Sequence, residues 1–350
     1  MDKIIFFTTL VLFPFGQLFK VGIFNAFDVV ILLLALITIF KKPIYPKWYK
    51  YFIYFLLFGL FSLLINLNLF EIKSLLYLVR LWSYSLIAVY VFNFVTDRKV
   101  VIKSLIAISV VSAVFGWIQY LIWPDLTALK YLGWDDHLLR MVGGFLDPTY
   151  LALIIVLGVV IAVYDQNKKI LYFLLISLAF TYSRSSYLVA TLFLLYKKKF
   201  IALIIFALTI LIIPKMIGEG TNLARTVSGS NKLINYQETI EIFKKSPVIG
   251  VGFNNICAAR RLYLNDNNSE SHACNGSDSS ILFLLVTTGI IGLILFINFI
   301  IHVPATPVLQ ISFIAVFIHS LFANSLFYPH IMFWLFVLLG LKTKVSSQSS

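Results

Sequence analysis

Charge is scarce in this sequence: of 350 residues, 12% are Asp, Glu, Lys or Arg, while 60% are hydrophobic and the mean hydropathy is +0.94. That balance cannot clothe a globule of this size in a water-soluble surface, so the bilayer is the solvent to which the chain is matched. Acidic residues are the rarer sign, 15 against 28 basic, for a net charge of +13. The basic residues stand between apolar blocks and not along one face, which excludes a nucleic-acid groove and fits anionic headgroups. Cysteine occurs twice, at Cys257 and Cys274, without a C-x-x-C spacing, and there is neither an Asp-x-Asp pair nor a His-rich cluster, so no metal site and no cofactor is expected. A small-residue cleavage pattern is missing after the first apolar stretch, Ile4–Phe19, which is therefore expected to stay in place as a helix.

Apolar runs of spanning length are what the sequence has in abundance. Candidates are Ile4–Phe19, Phe24–Phe40, Trp48–Ile65, Ser74–Val95, Val101–Trp123, Thr149–Tyr164, Ile170–Tyr182, Ser186–Tyr196, Phe200–Ile213, Ser279–Ile301, Val308–Leu321 and Ile331–Leu341. They predict an all-α polytopic bundle of about 12 transmembrane helices. With the N-terminus in the cytoplasm, the inner loops hold Lys3, Lys41, Lys42, Lys47, Lys50, Arg98, Lys99, Lys103, Lys168, Lys169, Lys197 to Lys199, Lys342 and Lys344. The short outer segments hold only Lys20, Lys73, Lys130, Arg140 and Arg184. This asymmetry predicts a protein of the inner, cytoplasmic membrane with both termini in the cytoplasm. Three segments result: helices one to nine over residues 1–213, a large extracytoplasmic loop over 214–278 containing short helices, and the last three helices with a cytoplasmic tail over 279–350.

A charged, Gly- and Asn-bearing loop as long as 214–278 is more often functional than idle. Within it, Tyr236, Ile240 and Phe243 recur at helical spacing and predict a short amphipathic helix over Asn235–Lys245. Gly250 and Gly252 around Val251 lack the context of a dinucleotide fingerprint and read as a tight turn against the membrane. Asp278 reads as the N-cap of the next helix. His272, close before that helix at the water boundary, is either a solvated side chain or a general base, since an imidazole accepts a proton near neutral pH. Cys257 and Cys274 can close one disulfide across this loop on an oxidising face.

Arg80 lies about six residues into its helix, or about 9 Å below the outer surface. Burying that charge costs about 2.5–3.5 kcal/mol, so it either snorkels to headgroups or faces a cavity that uses it. Tyr77, Ser83 and Tyr84 share its face. Arg184 sits in a very short outer turn, and Arg140 precedes MVGGFLDPTYLA, where Asp147 can cap a helix that Pro148 opens and Gly143 and Gly144 let backbone approach a ligand. Each arginine alone could pair with a lipid phosphate. Together Arg80, Arg140 and Arg184 make a cradle for a diphosphate, because a guanidinium fork donates two parallel hydrogen bonds to phosphate oxygens. Arg260 and Arg261 are further candidates, for contact with a glycan or an acceptor.

The motifs GGFLDPTYLA, TYSRSSYLVA, SPVIGVGF and SHACNGSDSSILFLLVTTGIIGL, in this order from about Arg140 to Leu293, resemble the O-antigen ligase and polymerase family. The resemblance implies a membrane glycosyltransferase of the GT-C type. Such an enzyme moves a glycan from a polyprenyl diphosphate carrier to an acceptor hydroxyl at the outer face, with inversion and without a metal. Its partners are the lipid-linked glycan, an acceptor glycan or lipid, and the bilayer, and the context is polysaccharide assembly for the cell envelope. The family's arginine after the short outer turn matches Arg184, and its late-loop histidine matches His272. Asp147-Pro148-Thr149 stands where the family often has Asn-Pro-Asn. A transporter or a lipid-linked glycan flippase is the rival reading, but it calls for broken, paired spans and acidic residues at mid-membrane, whereas Asp28 and Glu71 lie near helix ends.

Overall fold

The computed structural model describes residues 2–21, 24–132, 135, 137–215, 220–268 and 272–341. The side chain of His272 and the tail bearing Lys342 and Lys344 lie outside what is described. The described residues are all-α apart from two two-residue strands, β1 (Lys20–Val21) and β2 (Phe24–Asn25), paired antiparallel with Lys20 opposite Asn25. Among the described residues, three helices are long and apolar enough to cross a membrane: α4 (Ile72–Phe94), α5 (Arg98–Ile122) and α12 (Ser280–Ile301). Six shorter helices are also apolar. Many large hydrophobic side chains are exposed on them, such as Ile204, Leu208 and Leu211, as expected where lipid replaces water.

Two units divide the chain, each built from separated stretches of sequence. The first comprises Met1–Val30, Lys99–Lys232 and Ile311–Ile331. Its centre is α6 (Pro148–Tyr164), apolar all round and buried along nearly its whole length, as a helix without a polar face must be. Around it pack α7 (Lys168–Ala179) and α8 (Arg184–Tyr196), with α9 (Phe200–Ile212) against both of these. The first predicted span is shorter than its apolar run: α1 (Asp2–Leu12) gives way to a 3-10 turn, Phe13–Phe15, because Pro14 cannot continue the helical ladder.

The second unit comprises Ile31–Arg98, Leu233–Gln310 and Met332–Ser350. Here α3 (Tyr49–Ile65) packs closely on α12. Phe52 and Phe55 interlock with Phe299 and Phe296, at ring separations of 5.0 and 5.3 Å. The unit's loop helices are most of α10 (Val227–Lys245), which begins well before the predicted Asn235, and α11 (Ile256–Leu264).

The span expected as one helix, Ser279–Ile301, is broken. Gly289 leaves the helical path with φ 65° and ψ −169°. The break strips the Val286 and Thr287 carbonyls and the Ile290 and Ile291 N–H groups of their helical partners. The segment Pro247–Gly252 supplies all four replacements. Val251 and Gly252 donate to Val286 and Thr287 at 2.9 and 3.1 Å, while Ile290 and Ile291 donate to Pro247 and Val248 at 2.9 and 3.3 Å. Ser62 adds its hydroxyl, 2.7 Å from the Ile249 carbonyl and 3.0 Å from that of Thr287. The paired glycines thus turn the loop against the broken helix.

Candidate active site

The short turn between α7 and α8 gathers three arginines of the first unit. Arg140 is 8% exposed and its Nε donates to the Thr181 carbonyl at 3.1 Å. Its neighbours are clamped: Leu139 N–H donates to Pro124, Met141 N–H to Phe180 and Val142 N–H to the Gln119 side chain, at 2.7, 2.9 and 2.9 Å. Arg184, the first residue of α8, is exposed, and one terminal nitrogen donates to the carbonyls of Leu223 and Arg225 at 3.4 and 2.9 Å. Arg225 completes the group. Its Nη1 donates to Gly220 and Asn222, both at 3.2 Å, and its Nη2 to the Tyr182 carbonyl at 3.3 Å.

Arg225 is absent from the reading of the sequence. In NLARTV nothing distinguishes it from any loop arginine, and only its reach back to the 181–184 turn reveals its place. Carbonyl dipoles solvate these guanidinium groups. Among the described residues neither Arg140 nor Arg184 forms a salt bridge. Burial, and next the charge of Arg225, lower the pKa of Arg140 to about 10, with Asp147 pulling the other way. Guanidinium groups gathered in this way favour an anion.

The turn is held from below. Ser185 Oγ lies 3.0 Å from His319 Nε2, and His319 Nδ1 lies 2.6 Å from Ser325 Oγ, with His319 and Ser325 fully buried. Asp147 caps α6 as its sequence predicts, accepting from Thr149 N–H at 2.6 Å with Pro148 at the first helical position. Gly143 and Gly144 have a different use from the expected one. They pack against the chain's own backbone, where a β-carbon on Gly144 would lie 2.4 Å from the Pro14 carbonyl oxygen.

Arg80, Arg260, Arg261 and His272 belong to the second unit. Arg80 is half-buried, with its guanidinium 4.7 Å from the Tyr77 ring centre, a cation–π contact. Ser83, on the same face, turns inward to the Val79 carbonyl at 2.8 Å. Arg260 is 5% exposed and fully engaged: it meets Glu238 at 2.9 Å and Asp266 at 2.8 Å. That guanidinium braces the loop, with all three of its nitrogens turned to carboxylates. Arg261 pairs with Glu71 and lines a shallow cavity with Asn68, Leu69, Ala258 and Leu262. His272 opens a 3-10 turn, His272–Asn275, against α11, and Cys274 of this turn is disulfide-bonded to Cys257. Asp278 is not the cap of α12. Ser279 is, accepting from Leu282 N–H at 3.5 Å, while Asp278 N–H donates to Asn235 Oδ1 at 2.9 Å.

Residues 149–297 match the family model described as O-antigen ligase. That stretch takes in Arg184, Arg225 and the loop with His272. No curated protein matches the chain. The chain is therefore a multi-pass membrane protein in which residues 149–297 are similar to the O-antigen ligase domain.

Proposed function

We propose that the protein transfers a glycan from a polyprenyl diphosphate carrier to an acceptor hydroxyl at the outer face of the cytoplasmic membrane, with inversion and without a metal. The observation that carries this reading is the gathering of Arg140, Arg184 and Arg225 around one turn, bonded to carbonyls. Guanidinium groups so placed stabilise negative charge that grows on a departing diphosphate, with little reorganisation as it grows. Arg80 is assigned to a carrier phosphate as well, and Arg261 to the acceptor.

In the proposed step the acceptor oxygen attacks the anomeric carbon as the bond from that carbon to the diphosphate oxygen breaks, and the diphosphate leaves with the electron pair. The proton of the acceptor hydroxyl passes to His272. A diphosphate is already a good leaving group, so the protein's main tasks are positioning two large substrates and neutralising charge.

The test uses the full chain in proteoliposomes with a polyprenyl diphosphate-linked oligosaccharide and a glycan acceptor. Arg184→Ala should raise the KM for donor, and His272→Ala should lower kcat by about 10²–10⁴-fold. Transfer at the wild-type rate by both variants would remove the proposal.

A further inference from the structure

Among the described residues, the segment bearing His272 is fastened at its start, at its end and within, all inside the second unit. At its start, Asp266 receives Arg260 of α11, and at its end Asp278 N–H bonds Asn235 of α10. Ser277 Oγ adds contacts of 3.4 Å with both Asn235 and Thr239. Fastening only the ends would constrain the turn His272–Asn275 weakly, because loop-closure entropy grows only slowly with length.

The third fastening lies inside the segment. Cys274 stands two residues after His272 in the same 3-10 turn, and its disulfide partner Cys257 is 2% exposed within α11. The Cα atoms of the two cysteines are 4.3 Å apart, so the turn is drawn directly onto the helix. Arg260, on that same helix, carries the Asp266 fastening. One short helix thus holds the histidine-bearing segment on both sides of the histidine.

We propose that the Cys257–Cys274 disulfide is the positioning element for His272 in glycan transfer. This rests on the reading of His272 as the proton acceptor. The bond does not touch substrate. It narrows the set of positions His272 occupies, so that its imidazole meets the acceptor hydroxyl at hydrogen-bond distance, and a base displaced by about 1 Å can cost about 10²-fold in rate. Without the bond the donor still binds, since Arg140, Arg184 and Arg225 belong to the other unit and Arg80 lies on α4, outside the tethered segment, but the proton is taken up slowly.

Wild-type protein in proteoliposomes is treated with a dithiol, which closes to its own cyclic disulfide as Cys257 and Cys274 each gain a hydrogen, and is then reoxidised with oxidised glutathione. Reduction should lower kcat by about 10–10²-fold with the donor KM unchanged, and reoxidation should restore it. The Cys257→Ala/Cys274→Ala variant should match the reduced enzyme and ignore the dithiol. Adding His272→Ala to that variant should cost far less than it costs in wild type, because a base already misplaced has little left to lose. Full kcat in the reduced enzyme, or losses that multiply in the triple variant, overturns the tether while leaving the base in place. A wild-type rate in His272→Ala alone overturns the base, and the tether falls with it.

Discussion

Arg225 bonds the Tyr182 carbonyl at 3.3 Å, and its charge helps to lower the pKa of Arg140, which bonds the neighbouring Thr181 carbonyl at 3.1 Å. Two cations from segments far apart in sequence are held against one turn, each raising the cost of the other's charge. Like charges brought together in a buried setting are stable only if something else in the fold holds them, and here the clamped backbone around Arg140 does so. An anion bound between them would relieve both.

Removing Arg225 should therefore weaken donor binding. Hydrogen bonds to charged groups contribute about 1.5–3 kcal/mol, so kcat/KM for the lipid-linked donor should fall by roughly ten- to a hundredfold in Arg225→Ala. The Arg225 carbonyl that receives Arg184 survives the substitution, which confines the loss to the side chain. Arg225→Lys should recover only part of it, since an ammonium lacks the bidentate fork. Steady-state kinetics with varied donor decides the matter.

Arg140→Lys makes a pH test of the same cluster. Burial first, and Arg225 second, bring Arg140 down to about 10 from its ordinary value. A cation with a lowered folded-state pKa is destabilised by folding at pH values below that pKa, and the cost fades as pH rises through it toward the unfolded value. Wild type should thus keep its donor affinity to about pH 10, as Arg140 stays charged to that point. Lysine starts about two units lower, so the same surroundings should move the alkaline loss of affinity down by about two units. A profile of donor KM against pH that is identical in both proteins would count against Arg140 as a phosphate ligand.

Much of the frame was legible because apolar runs write themselves plainly: the bounds of α6 and its Asp147 cap match the sequence reading, and the stretch that holds the motifs around Arg184 and His272 matches the O-antigen ligase family model. The break in α12 was not legible. Gly289 sits in TTGIIGL among residues that all favour an apolar helix, and only the backbone of Pro247–Gly252, distant in sequence, makes the break stable. Arg225 and Arg260 show the same limit from both sides. One loop arginine joins the anion cluster and the other is consumed by Glu238 and Asp266, and no local pattern separates them. Their roles are set by contacts between segments.

The knit at Gly289 predicts a contrast among glycines. A β-carbon at Gly289 would lie 2.2 Å from the Val248 carbonyl oxygen, at a φ of 65° that other residues adopt with strain. Backbone on that side cannot yield without losing the bonds that heal the break, so Gly289→Ala should destabilise by about 2–4 kcal/mol. Gly229 in α10 has nothing within 4 Å of its would-be β-carbon, and Gly229→Ala should stabilise by about 0.5–1 kcal/mol. Thermal unfolding in detergent compares the two directly. Equal melting temperatures would show that the Gly289 break is not required by the packing.

Arg260 and Arg261 are neighbours of the same charge and should behave oppositely. Arg260 is almost fully buried and holds Glu238 and Asp266, and those contacts, with a hydrogen bond from Asn268 N–H leading, keep the Asp266 carboxyl below the usual carboxylate range. Arg260→Ala removes a buried cation that joins α11 to α10 and to the histidine segment, so a loss of about 1–3 kcal/mol is expected, discounted because the carboxylates reach solvent. The pair of Arg261 with Glu71 is partly exposed, with 39% of the arginine side chain in solvent, and surface pairs contribute about 0–1 kcal/mol. Arg261→Ala should leave the melting temperature nearly unchanged and reveal itself, if at all, in the KM for acceptor. Amide exchange adds a local readout: Arg260→Ala should speed exchange at Asn268, whose N–H bonds Asp266 at 3.1 Å, because a carboxylate released from the guanidinium no longer holds that turn in place. If Arg261→Ala instead produced the larger thermal loss, the brace would have been assigned to the wrong arginine, and Arg260 would return as a candidate for glycan contact.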